Sequence, residues 1–209
     1  MRGVLRTLMG LWLCGLLLGC GQDLTDGSIP VGDIEGWVVA PGRGRPEPVA
    51  EWPVEVWVGD TLVRTVRTDA AGHFTLSPGP TGRVRLRTTY AAWTAVVEAE
   101  RLLATEPLTV RLEVGPTPRE GTALLITPAT FVLLPGSEAH FTAAVADAAG
   151  NTLTEAAVSW AVVGEAGELT AAGGFRARQA GTALLIAQCG TLQSHAPVTV
   201  LPGARGRTP

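Results

Sequence analysis

Apolar residues recur at every second position in short runs from Ile34 to Val114, with turn-forming residues between the runs. Alternation of period two serves one buried layer only if the backbone is extended, because successive side chains of a strand point to opposite sides. Ile34, Gly36 and Val38 share one parity, as do Val54, Val56 and Val58, then Val84 and Leu86, and finally Leu108, Val110 and Leu112. These are the expected inward faces. The opposite faces carry Glu35, Glu55, Arg83, Arg85, Arg87, Arg111 and Glu113, which suits a solvated sheet surface of mixed charge. Within Thr68-Asp69-Ala70-Ala71-Gly72-His73-Phe74, Asp69 caps its own turn, Gly72 takes a positive φ and Phe74 points inward, so the segment reads as a hairpin corner. Many short strands with regular turns define an all-β sandwich.

A second run of short strands follows a boundary. Gly115-Pro116-Thr117-Pro118-Arg119-Glu120-Gly121 opposes both helix and central strand and stiffens toward extended polyproline geometry, so it reads as a linker over 115–121. Beyond it, Leu124 to Pro128 and Val132 to Gly136 each end at Pro or Gly. Ala139, Phe141, Ala143 and Val145 then alternate as a half-buried strand, and Asp147-Ala148-Ala149-Gly150-Asn151 supplies a turn. Trp160, in the middle of Val158 to Val162, is a core filler. The segments 173–177, 181–187 and 196–200 complete a second sandwich over 122–201, and 202–209 has no apolar periodicity, the pattern of a frayed tail.

The N-terminus carries an address. Arg2 and Arg6 precede an uncharged stretch from Thr7 to Gly19 rich in leucine, the order of a secretory signal. That stretch is shorter than the roughly 20 residues a spanning helix needs, so a removed signal over 1–19 fits better than a membrane helix. Leu17-Leu18-Gly19-Cys20 resembles the lipobox of bacterial lipoproteins. The resemblance implies lipid on the Cys20 thiol, cleavage before it and a membrane as partner. Two or more acyl chains hold a protein stably where one does not. Gly21 stands where an Asp would resemble an inner-membrane retention signal, which implies an outer-membrane destination. Residues 20–33 then form a polar tether from Cys20; the thirteen residues 21–33 reach about 45 Å when fully extended.

Two further resemblances cover most of the remaining chain. Ile34-Glu35-Gly36-Trp37-Val38-Val39, Pro53-Val54-Glu55-Val56 and the Thr-Asp-x-x-Gly-x-Phe corner together resemble the carboxypeptidase regulatory-like domain over 34–114. That family has a prealbumin-like sandwich and is not itself catalytic. Thr89-Tyr90-Ala91 replaces the Gly-Tyr common there. Residues 122–201 resemble the bacterial immunoglobulin-like domains of group 2, through the Thr-Pro start, Leu-Pro-Gly, Asp-x-x-Gly-Asn, Val-Ser-Trp, the Gly-Thr-Ala strand and the closing Val-Thr-Val. Together they imply two tandem Ig-like/prealbumin-like sandwiches serving as an interaction, adhesion or spacer module with an envelope protein or polysaccharide as partner.

Composition narrows the chemistry. The chain from Cys20 onward keeps 14 of the 16 basic residues and all 19 acids, a formal charge of −5, which disfavours nucleic acid. Every basic residue is arginine, which reads as codon bias. With Cys14 in the signal and Cys20 lipidated, Cys189 stands alone, so no internal disulfide framework exists. Cys189 reads as a tolerated small residue, with a reactive thiol as the alternative. His73, His140 and His195 show no metal-ligand spacing, and no nucleophile elbow, phosphate loop or calcium loop is present. No cofactor and no enzyme activity are expected; a triad assembled from distant residues is the competing possibility.

Two patches remain as candidate binding residues. Strand parity puts Trp37 and Trp57 on outer faces, where indoles can stack on sugar rings, against the alternative of packing under a loop or a second domain. Carbohydrate binding by a Trp37/Trp57 face is therefore a second functional expectation. Trp52 and Trp93 read as loop packing. Arg83, Arg85 and Arg87 form a one-sided basic ladder that either meets anionic polysaccharide or lipid headgroups, or pairs with acids on the next strand.

Overall fold

The computed structural model describes residues 32–203; the signal, Cys20, nearly all of the tether and the tail from 204 onward lie outside the described residues. Within that range the chain is all β. The first half contributes β1 (Ile34–Ala40), β2 (Glu47–Pro48), β3 (Pro53–Val58), β4 (Thr61–Arg67), β5 (His73–Leu76), β6 (Gly82–Tyr90), β7 (Trp93–Arg101) and β8 (Leu108–Glu113). The second half adds β9 (Ala123–Thr127), β10 (Phe131–Leu133), β11 (Glu138–Ala139), β12 (Thr142–Ala146) and β13 (Thr152–Leu153). After these come β14 (Ser159–Val163), β15 (Gly167–Leu169), β16 (Phe175–Ala177), β17 (Gly181–Cys189) and β18 (Leu192–Val200).

The first sandwich forms as its alternation requires. A four-stranded sheet, β4-β3-β6-β7, lies over the layer holding β1, β5 and β8. Ile34, Val38, Val54, Val56, Val84, Leu86, Leu108, Val110 and Leu112 are fully buried between them. Gly36 keeps the inward parity but has no side chain, because a Cβ there would collide with Val110 and the Phe74 ring. The corner residue Phe74 thus fills the space that glycine leaves.

A single strand pairing joins the two halves. β8 pairs in parallel with β1 on one side and antiparallel with β14 on the other, with Val110 opposite Ala161 and Arg111 opposite Trp160. The result is one sheet running β10-β18-β17-β14-β8-β1-β2, with β5 on β1. One face of it gives Ala161, Val163 and Ile186 to the first core, alongside Val110 and Leu108. The other face gives Trp160, Val162, Leu185 and Ala187 to the second core. That second core is closed by the β9-β12-β13 and β11-β16-β15 sheets. Half-buried Phe141 packs against this core, with ring centroids of Phe131, Phe175 and Trp160 at 4.2, 6.0 and 6.2 Å. The shared sheet is therefore a middle layer with apolar packing on both sides.

This pairing corrects one sequence expectation. Arg111 does not lie on a solvated face; it is 8% exposed, because the second half covers the outer side of β8. Its Nη1 donates to Glu113 Oε2 at 2.6 Å. Polar groups trapped beside it are bonded across the junction: Leu169 N–H donates to Thr109 Oγ1 at 2.9 Å, and Glu113 N–H to Ser159 Oγ at 3.1 Å. The linker is tied in as well, since Ala157 N–H donates to the Pro116 carbonyl at 2.9 Å.

The same four residues, Asp-Ala-Ala-Gly, build one turn in each half. Asp69 Oδ1 accepts the N–H groups of Ala71 and His73, and Asp147 Oδ1 accepts those of Ala149 and Asn151. These bonds, that from the His73 backbone first, hold the Asp69 carboxyl below its ordinary range; for Asp147 the Asn151 side-chain bond leads. Gly72 and Gly150 take φ of +73° and +85°. Their surroundings differ: a Cβ on Gly72 would lie 2.7 Å from the Val38 carbonyl oxygen, whereas Gly150 faces open space. Gly150→Ala is expected to cost about 1 kcal/mol from backbone strain alone. Gly72→Ala adds the steric conflict and is expected to cost about 3 kcal/mol; urea unfolding of both variants checks the order.

Because the middle layer serves both cores, the described body is expected to melt in one calorimetric transition. Phe175→Ala, in the second core, should remove about 3–5 kcal/mol and lower that whole transition. Two resolved transitions, only one of them shifted, would contradict the coupling.

Candidate functional site

The outer side of the β4-β3-β6-β7 sheet gathers most of the candidate residues. Antiparallel pairing sets Trp57 opposite Arg85 and Glu55 opposite Arg87, and then Arg85 opposite Glu98 and Arg83 opposite Glu100. Three arginines of β6 thus stand between glutamates on both neighbouring strands. Arg83 and Arg85 converge on Glu98 at 2.9 and 2.5 Å, and Arg87 approaches Glu55 at 3.9 Å. Trp57 Nε1 donates to Glu55 Oε2 at 3.0 Å. Arg83 is the most available member, with 72% of its side chain exposed. The face is a charge-balanced ladder with an indole beside its middle arginine.

Glu98 organises that ladder. Burial pushes its carboxyl upward, but hydrogen bonds and charges from Arg85 and Arg83 outweigh burial and hold it below the ordinary glutamate value. Its backbone is held too: the Glu98 N–H donates to Gln188 Oε1 at 2.8 Å, and Gln193 Nε2 donates to the Glu98 carbonyl at 2.9 Å. β7 is the edge strand of its sheet, and these two side-chain amides from the β17–β18 hairpin occupy its outward backbone groups at that point. Beside them opens a cleft of about 520 Å³, walled by Arg83, Glu98 and Glu100 and floored by Leu184, Ile186 and His195.

Trp37 is elsewhere. It belongs to β1 in the shared sheet and points away from the first core toward β15 and β16, where a cleft of about 190 Å³ lies between Trp37, Glu35, Glu168 and Arg176. Its ring lies 5.2 Å from His73, whose Nε2 contacts Glu35 Oε1 at 2.6 Å. The expected common Trp37/Trp57 face therefore does not form: the two indoles are on opposite layers of the first sandwich and face opposite ways. Parity was read correctly along each strand, but it carries no information about which sheet a strand joins. Trp52 packs as a loop residue, edge-on to Tyr90 at 5.0 Å with Nε1 donating to the Thr89 carbonyl.

Cys189 is buried, and burial raises its thiol pKa, the setting of an inert thiol. Among the described residues no group of three or more His, Cys, Asp or Glu side chains could hold a metal ion. Cys20 lies outside the described residues.

Arg101 is a residue that sequence reasoning passed over. It is fully buried, and its five N–H donors go to the carbonyls of Glu106, Gly79, Pro80, Gly32 and Ala104. Burial lowers its pKa while Glu106 and Asp33 oppose that shift. The available signal is its parity: Arg101 falls on the same side of β7 as Ala95, Val97 and Ala99, whereas the arginines of β6 alternate with the buried Val84 and Leu86.

No protein-family model matches the chain, and no curated protein matches it significantly.

Glu98→Gln should lower stability by about 1 kcal/mol at pH 7 through loss of the paired charge. A carboxyl whose folded pKa is depressed stabilises fully above its unfolded value, near 4.3, and loses that contribution as pH falls through the folded value. The gap between wild type and variant should therefore close below about pH 4. Urea unfolding at pH 7 and pH 3 measures it, and an unchanging gap would remove the role given to Glu98.

Proposed function

We propose that this chain is a lipoprotein of the bacterial cell envelope, held at the outer membrane by lipid on Cys20. Its β body acts as a non-catalytic interaction, adhesion or spacer module. The address rests on the sequence: Arg2 and Arg6, the uncharged leucine-rich stretch, and the lipobox-like Leu17-Leu18-Gly19-Cys20. The resemblances to a carboxypeptidase regulatory-like domain and a group 2 immunoglobulin-like domain agree with it, since both families supply surface modules.

The observation that carries the mechanical part is the unbroken sheet from β2 to β10. A spacer must keep its far end at a fixed place relative to its near end, and strands hydrogen-bonded across the junction do this better than a flexible linker. The surface chemistry supports presentation over turnover: the charged ladder is internally paired, and the three histidines are dispersed over β5, the β11–β12 connection and β18.

Mass spectrometry of the N-terminal peptide, from protein extracted from host membranes, is expected to find a diacylglycerol thioether on Cys20 and an acylated amino group. Cys20→Ser should abolish that modification. A bare Cys20 in the wild-type membrane fraction would overturn the anchoring.

A further inference from the structure

Strand register places several chain ends at one edge of the middle layer. Ile34 is level with Leu108, Leu108 with Val163, Val163 with Leu184, Gly181 with Val200, and Val200 with Leu133. Residues just before β1 and β8, and just after β18 and β10, therefore share one end of the body. Four leucines are exposed there: Leu102 at 73% and Leu103 at 61% in the β7–β8 loop, Leu134 at 55% after β10, and Leu201 at 45% after β18. From β8 to β10 is four strand spacings, about 19 Å.

These side chains are held out by their backbones. Glu106 Oε2 accepts the N–H groups of Leu102 and Leu103 at 3.1 and 3.2 Å, and Arg101 grips the Ala104 carbonyl of the same loop. Leu201 N–H donates to the Leu133 carbonyl at 2.9 Å, and Ser137 N–H to the Leu134 carbonyl at 3.1 Å. The order of the loop is thus prepaid, which favours contact with a partner.

The same end is where the tether departs. Gly32, bonded to Arg101, follows Cys20 by twelve residues, a span of about 40 Å at most and roughly 20 Å as a flexible coil. In the sequence Leu201 is followed closely by Arg205 and Arg207, charges suited to anionic headgroups. Exposed acids on this end include Asp60 in the β3–β4 turn, Glu100 next to Arg101, and Glu165, whose Oε2 accepts Gln179 Nε2.

We infer that Leu102, Leu103, Leu134 and Leu201 form a membrane-contacting end that seats the body on the lipid surface, fixing its orientation beyond what the tether alone can do. This rests on the anchoring proposed for Cys20. Apolar side chains at such a depth bury themselves at the boundary between headgroups and acyl chains.

The test uses the mature lipidated protein in phosphatidylethanolamine–phosphatidylglycerol vesicles, with an environment-sensitive fluorophore on Ala104→Cys beside the leucines. A second sample carries it on Ala92→Cys, at the far end of β6, about 26 Å away along the strand. Nitroxide lipids should quench the label at 104 and leave that at 92 unaffected. Replacing all four leucines by serine should bring quenching at 104 down to the level at 92 while leaving the melting temperature unchanged. Equal quenching at both positions, or quenching at 104 that survives the serine substitutions, would overturn the inference. So would a dimer that the serine variant converts to monomer, since the leucines would then cover a second copy. Mass spectrometry of the same sample separates the two claims. If Cys20 is bare, the anchoring fails by itself, and flotation of that unlipidated protein with the vesicles decides the leucines. Wild type floating about tenfold more than the serine variant supports them, and equal flotation overturns them.

Discussion

Pairing of β8 with β14 is the constraint on which the rest of the molecule depends. Once those strands share hydrogen bonds, both faces of the middle layer need cover, and neither sandwich can close without residues from the other half. Leu108 and Val110 alone would meet only half a core; Ala161, Val163 and Ile186 supply the remainder. The opposite face must be dry as well, so its polar side chains need partners inside the protein. Thr109, Ser159 and Arg111 each have one, and two of those bonds cross from one half to the other.

Much of the first half was legible in the sequence, because the information there is local. Alternation gave the buried sets on β1, β3, β6 and β8, and Asp69 with Gly72 gave the corner that brings Phe74 over Gly36. Trp160 as a core residue was equally readable. What escaped was long-range. Arg111 alternates with Leu112 as a surface residue would, and only the partner of β8 decides that it is covered. Trp37 and Trp57 occupy like positions in similar strands, yet those strands belong to different sheets. The arginine ladder was seen, but its pairing with Glu98 depends on β7 lying beside β6. Arg101 shares the inward parity of Val97 and Ala99, but its partners were not readable, since a buried guanidinium bonded to carbonyls is specified by three loops meeting in space.

The proposed role uses this architecture in a plain way. Gly32, the buried Arg101 and the exposed leucines lie at one end of the strands, and the β6–β7 and β17–β18 hairpin turns at the other. In the proposed role, strand direction is an axis leading away from the lipid, and surfaces on the flanks or far turns are carried outward along it. The charge ladder on the flank has its cations and anions mutually satisfied. Any ligand there must compete with Glu98 for Arg83 and Arg85, so the most exposed guanidinium, Arg83, is where such competition would begin.

The two glutamine amides on the edge of β7 have a consequence for crowding. An unprotected strand border is a template onto which another copy's strand can zip, and copies confined to one surface meet far more often than in free solution. Gln188 and Gln193 fill the hydrogen-bonding positions at Glu98 from within the same chain, using side chains that cannot propagate a ladder. They act as a built-in stop against polymerisation, made from two residues at the tip of a hairpin.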